Sequence, residues 1–286
     1  MKKISMCCMV LCLALCILTI EQQLFTYAGL ALVTDSYVES DSFRRMQVEE
    51  DAIVCLKEKS RKAGYDWLPL LTAAMIAQHN CVKAQTIKQV SANDLYKNYQ
   101  FYKKYKADEI EEIDRVLRAI WEDAMYFPVP VSSGNEDADI SFENSWQHER
   151  TYGGKRGHEG TDIMAGIHKR GYYPIVSVSD GVVENIGWLP QGGYRIGIRS
   201  ENGAYFYYAH LYSYARQFQE GEKILKGEFL GFMGDTGYSE IEGTVGNFDV
   251  HLHFGIYIKT KNMEEMSLNS YYLLKYLQSA VLTYRY

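Results

Sequence analysis

The sequence predicts an α+β protein: a helical region, then a mainly antiparallel β domain, with an apolar segment in front that reads as a membrane segment. Three observations carry this. Apolar residues recur at helical spacing between residues 35 and 127, short aromatic and apolar runs broken by glycines dominate from residue 142, and an uncharged run spans Ile4 to Ile20. With 286 residues, 47% of them hydrophobic, the chain can bury a sizeable core. Its formal charge of -6 leaves no basic footprint, which excludes nucleic acid as the principal partner. The 24 tyrosines suit half-buried sheets and peptide or carbohydrate contact surfaces, although packing accounts for most of them.

Lys2 and Lys3 precede the apolar run and Glu21 ends it, at the short limit of the roughly 17 to 25 residues of a membrane span. Residues 1–33 therefore read as a signal peptide or signal anchor with the N-terminus inside. The small residues near Ala28 and Ala31 lack the Ala-x-Ala spacing, which favours retention over cleavage. Leu15 is too large for the site preceding a lipidated cysteine at Cys16. Cys7, Cys8, Cys12 and Cys16 fall in the run, leaving Cys55 and Cys81, for which one disulfide and two separate buried thiols are equally open.

Residues 34–127 form the helical region. Met46, Ile53 and Leu56 share a face, Asp66 after Gly64 is placed to cap a helix, and Ile110, Ile113, Leu117, Ile120, Trp121 and Ala124 make a stripe. His79 ends the apolar helix from Leu70 to Ala77. No catalytic pattern occurs here, so the region spaces or orients the downstream domain or binds a protein partner. Phe127-Pro128-Val129-Pro130 and the polar residues after it mark a linker over 128–141. A β domain is expected over 142–264, with strands at Ile175–Val178, Gly181–Trp188, Tyr194–Arg199, Ala204–Leu211, Phe229–Met233 and Val250–Ile258. Glu201-Asn202-Gly203 signals a hairpin. Residues 265–286 are expected to close the chain with a helix from Tyr271 to Tyr284, capped by Asn269 or Ser270.

In Val250-His251-Leu252-His253-Phe254 the two-residue spacing puts both imidazoles on one face of a strand. Alone the pair suits two half-buried histidines. His158-Glu159-Gly160-Thr161-Asp162 adds an imidazole and a carboxylate, and Tyr208-Ala209-His210-Leu211 adds another histidine in an aromatic strand. Catalytic zinc takes three protein ligands and keeps a fourth position for water, so this set supplies enough donors and a base besides. Gly160 and the carboxylate argue against a helical His-Glu-x-x-His site.

In these motifs, His158-x-x-x-Asp162, Tyr208-Ala209-His210-Leu211 and His251-Leu252-His253-Phe254, residues 142 to 260 resemble the lysostaphin-type, or LytM-type, zinc metallopeptidases that cut peptide bridges of bacterial peptidoglycan. The resemblance implies an antiparallel sheet lining an open groove, one zinc held by His158, Asp162 and His253, and His210 and His251 beside the bound water. Which of these two takes the proton stays open. Tyr152 matches a tyrosine that some members place near the oxyanion, with a packing role equally open. Two departures concern the groove: Gly255 stands where many members carry an acid, and Tyr238 to Asp249 is long. His148 and His168 fall outside the motifs. The implied protein is an extracytoplasmic zinc endopeptidase acting on peptidoglycan peptides, bound to the cytoplasmic membrane by its N-terminal segment or secreted if that segment is cleaved. The competing readings are a membrane-anchored, non-catalytic scaffold or channel part like the sporulation relatives, and a wall-binding module.

Overall fold

The computed structural model describes residues 27–286 and isolated positions before them (9, 12, 13, 16, 17, 20 and 24). Among the described residues no helix is long and apolar enough to cross a membrane, and most of the expected membrane segment lies outside them. The membrane expectation therefore gains no support.

Among the described residues, a single-turn helix at Asp41–Arg44 is followed by the longer helices of the first half: α1 (Glu50–Ala63), α2 (Trp67–Ala77), α3 (Ala84–Gln89), α4 (Ala92–Tyr105) and α5 (Ala107–Trp121). Local chemistry sets their ends. Gly64 closes α1 at φ 74°, a left-handed conformation that only glycine adopts without cost. Asp66 caps α2 as expected, its side chain accepting from the Leu68 N–H. Ser91 Oγ accepts the Asp94 N–H and donates to the Asp94 carboxylate at the start of α4. Leu68, Leu70, Leu71, Met75 and Ile76 bury α2 at the centre of the region, and the Ile110, Ile113, Leu117 and Ile120 stripe of α5 is wholly buried. The region is not purely helical, because Gln47–Val48 pairs in parallel with Cys81–Val82. Two-residue strands have no period to detect. Cys55 and Cys81 are separate free thiols, both half-buried rather than buried.

Ten strands make the main sheet: β1 (Ile140–Phe142), β2 (Thr161–Ala165), β3 (Pro174–Val176), β4 (Gly181–Leu189), β5 (Gly193–Arg199), β6 (Ala204–Tyr214), β7 (Lys223–Ile224), β8 (Phe229–Met233), β9 (His251–Ile258) and β10 (Met266–Leu268). Their spatial order is β7-β4-β5-β6-β9-β2-β1, with β8 joining β6 to β3 and β10 lying on β9; every pairing is antiparallel. All six expected strands are present. The Asn202-Gly203 hairpin joins β5 to β6, but only Gly203 takes positive φ; Asn202 instead donates its backbone N–H and side-chain amide to Asp123 at the end of the helical region.

The C-terminal helix is shorter than expected. It is α6 (Tyr271–Leu277), with Asn269 Oδ1 accepting the Tyr271 N–H at its start. Beyond it Thr283–Tyr284 runs extended and pairs with Val131–Ser132, which also ties down the stretch expected as a linker. β-branched residues in Val281-Leu282-Thr283 favour that extended course.

Helices and sheet share one core. Arg44 donates to the backbone and hydroxyl of Ser267, Lys57 donates to the Tyr276 hydroxyl, and the Trp121 ring meets the Tyr276 ring at 6.0 Å, edge to face. Trp121 is among the largest fully buried side chains. Trp121→Ala should therefore cost about 3–5 kcal/mol, and Trp121→Phe markedly less, measured as the midpoint of urea unfolding. An unchanged midpoint for Trp121→Ala would mean that the contact between the helical region and the C-terminal helix contributes nothing to stability.

Candidate metal centre and groove

On β9 the residues alternate: Leu252, Phe254 and Ile256 enter the core, while His251, His253, Gly255 and Tyr257 line the other face. Strand β2 runs beside it with Asp162 directly opposite His253, and on the other side Ala209 of β6 is also opposite His253. His158 lies just before β2, so one turn of chain delivers it beside Asp162. The result is compact. His158 Nε2, Asp162 Oδ1 and His253 Nδ1 lie 3.0 Å from one another on all three sides.

This triangle fits a metal ion. Zinc with bonds of about 2.0–2.1 Å in tetrahedral geometry sets its ligand atoms roughly 3.3 Å apart, a few tenths of an ångström beyond these separations. The protonation states also suit it. Burial pushes the His253 imidazole down to about 4, leaving its lone pair available. Burial alone would raise the Asp162 carboxyl, but the close contacts with the His158 and His253 rings outweigh it and hold the group ionised, far below the usual carboxylate range. Neutral imidazoles and a carboxylate are the forms a metal needs. His158 Nδ1 lies 3.0 Å from Ser145 Oγ and 3.3 Å from the Ser145 carbonyl; donation to that carbonyl leaves Nε2 free to face the ion. Arg150 pairs with Asp162 Oδ2, so only Oδ1 is offered inward.

His251 and His210 stand beside the triad without joining it. Their rings are 4.7 Å apart, and His251 Nε2 is 3.7 Å from Asp162 Oδ1. His251 Nδ1 donates to the Asp249 carbonyl and His210 Nδ1 to the Thr236 carbonyl, so each turns an unprotonated Nε2 to the groove. Burial keeps both neutral by lowering their pKa, with His251 and His253 lowering His210 further, while Asp162 partly offsets the shift of His251. Two neutral imidazoles flanking a metal triad can take and return a proton.

His210 reaches this position through an irregularity. Simple alternation from Tyr208, which is buried in the core, would send His210 inward. The pairing of β5 with β6 shifts register between Tyr194 and Ile196, so that Ala209 and His210 together oppose Arg195, and His210 takes φ 61°. This bulge turns the ring into the groove at a backbone cost of order 1 kcal/mol.

Every expected site residue except Tyr152 lines this groove, whose volume is about 440 Å³. Tyr152 instead stacks on Tyr238 at 4.4 Å with parallel rings, and Tyr238 lines the groove 6.0 Å from the His210 ring. Arg150 and Tyr238 were not expected; neither carries a motif, and only the fold brings them in. Gly255, where the resemblance would place an acid, leaves room for a tyrosine: a Cβ there would stand 2.9 Å from the Tyr257 ring. His148 and His168 are exposed and do not line the groove, although the His148 carbonyl accepts the His158 N–H.

Comparison with known proteins agrees with this geometry. The profile of Peptidase family M23 matches residues 156–265. A protein of Ruminococcus gnavus, described as a candidate glycyl-glycine endopeptidase LytM, is 41% identical; the match covers 91% of this chain and 99% of that one at TM-score 0.76. The L-Ala--D-Glu endopeptidase of Bacillus subtilis is 40% identical over 147 residues, or 51% of this chain, and the match spans 41% of that relative's length.

Gly160 supports the centre sterically, since a Cβ there would lie 2.7 Å from two atoms of the His253 ring and 2.6 Å from the Phe254 carbonyl oxygen. Gly160→Ala should displace the ring and weaken metal binding roughly 10- to 100-fold in competition with a chelating dye, the range seen when support of a metal ligand is lost. Unchanged affinity would remove His253 from the site.

Proposed function

Because the chain belongs to peptidase family M23, we propose that it is a zinc metalloendopeptidase that hydrolyses peptide bonds of bacterial peptidoglycan, in its stems or cross-bridges. The observation that carries this is the 3.0 Å triangle of His158, Asp162 and His253 with two neutral imidazoles beside it in an open groove. His158, Asp162 and His253 would hold the ion. Zinc in such a site lowers the pKa of water toward about 7 and polarises a carbonyl.

The chain's own groups supply the rest. The Nε2 of His251 or His210 accepts the proton of the attacking water, and the same pair returns it to the departing amine. Their Nδ1–H donations to Asp249 and Thr236 hold the tautomer that leaves those nitrogens free. Arg150 holds Asp162 from behind, and Tyr238, backed by Tyr152, walls the groove beside His210. A complete ligand set with base candidates in place favours turnover over a scaffold or simple wall-binding role, neither of which needs them. The substrate places the work outside the cytoplasmic membrane, which suits the apolar run of Ile4 to Ile20 as an export segment.

The test separates the histidines. His253→Ala should lose both bound zinc and cleavage of purified wall material, whereas His251→Ala and His210→Ala should keep zinc and lose roughly 10²–10⁴ in kcat. Chelation of the wild type should abolish cleavage and added zinc restore it. Cleavage that survives full metal removal, or a wild type that binds zinc yet releases no peptide, would overturn the proposal.

A further inference from the structure

The floor of the groove beyond the triad is aromatic. Tyr207, Tyr205 and Tyr257 lie across it at ring separations of 6.1–6.2 Å, and Tyr207 stands 5.9 Å from His253. Glycines admit these rings: a Cβ at Gly197 would overlap Tyr205, and one at Gly192 would strike the Tyr207 hydroxyl. Two arginines border this floor. Arg195 sits on β5 opposite the bulge that carries His210, and Arg156 lies two residues before His158. Both line the same groove as Tyr205, Tyr207 and Tyr257.

Neither arginine is used by the protein itself. Among the described residues neither makes an ion pair, and the buried Arg195 Nη1 and Arg156 Nε have no hydrogen-bond partner. Elsewhere in the chain buried arginine donors are satisfied, as in the bidentate Arg199–Glu184 pair of the same sheet. A buried, unpartnered guanidinium N–H is costly unless something meets it, and the group it matches best is a carboxylate, in bidentate geometry. Glu159 and Glu265 also line the groove, but both are exposed and pair with neither arginine, and both act on Tyr257.

We propose that Arg195 and Arg156 form a carboxylate-binding subsite that selects acidic stem peptides over neutral glycine bridges. The placement sets the spacing. From His253 through Ala209 to Arg195 is two strand separations, about 10 Å, so the recognised carboxylate belongs to a residue within two or three of the scissile bond. A glycine bridge offers no charge at that distance. This specificity rests on the proposed peptidoglycan endopeptidase activity.

The test uses the zinc-loaded full chain and three substrates: a synthetic L-Ala-γ-D-Glu-L-Lys peptide, the same peptide with the D-Glu α-carboxylate amidated, and pentaglycine. Wild type should favour the acidic peptide over its amide by about tenfold or more in kcat/KM, mostly through KM, and over pentaglycine by at least as much. In Arg195→Gln with Arg156→Gln the acid-to-amide ratio should fall toward one at unchanged zinc content, and Arg195→Lys should keep part of it. A ratio near one in the wild type, an unaltered ratio in the double variant, or pentaglycine as the preferred substrate would overturn the subsite. If wild type cuts none of the three, the endopeptidase reading fails on these substrates and calorimetric binding of the two stem peptides decides the subsite. An arginine-dependent preference for the acid sustains it, and equal binding refutes it.

Discussion

The pairing of β9 between β2 and β6 is the constraint on which the centre depends. It sets Asp162 across from His253 on one side and Ala209 across from His253 on the other, so a metal ligand, its neighbour and the strand carrying His210 are fixed by backbone hydrogen bonds. A slip of one residue would send His251 and His253 into the core and bring Leu252 and Phe254 to the groove. The apolar burial of Leu252, Phe254 and Ile256 resists such a slip, so the same residues that stabilise the sheet keep the ligands in register.

Strain and crowding are concentrated beside that pairing. The bulge at Ala209–His210 holds a non-glycine residue at positive φ, and the glycines at 160, 192, 197 and 255 each yield space to a ring of the groove. Such an arrangement costs stability locally, and the sheet with its docked helices offsets it. The helical region contributes here by covering the sheet's core face: its last helix meets the C-terminal helix through Trp121 and Tyr276, and Asp123 fastens the hairpin that begins β6. Its contact with the groove strands is structural, through packing and hydrogen bonds.

Much of the fold and the triad was legible in the sequence because both leave local patterns. Glycine-bounded aromatic runs marked the strands, the α5 stripe and the Asp66 cap marked the helices, and the His-x-x-x-Asp and His-x-His spacings identified the groups that converge. What was not legible depends on long-range pairing. The two-residue strands at Gln47–Val48 and Val131–Ser132 gain stability from partners far along the chain, which is also why the C-terminal helix stops at Leu277. The bulge at His210 has no signature in Tyr-Ala-His-Leu. Arg150 reaches Asp162 only because a short hairpin, Glu149–Arg150 with Arg156–Gly157, folds back beside β2. Tyr152, for which an oxyanion role and a packing role were equally open, stacks its ring on Tyr238, which lines the groove.

The central claim is that two of the four grouped histidines, with one aspartate, hold the metal, while the other two stay unligated. X-ray absorption at the zinc edge of the zinc-loaded protein tests it most directly. The account predicts a shell of nitrogen and oxygen at about 2.0–2.1 Å containing two imidazoles. Three or four imidazoles in that shell, or a sulfur ligand at about 2.3 Å, would contradict it.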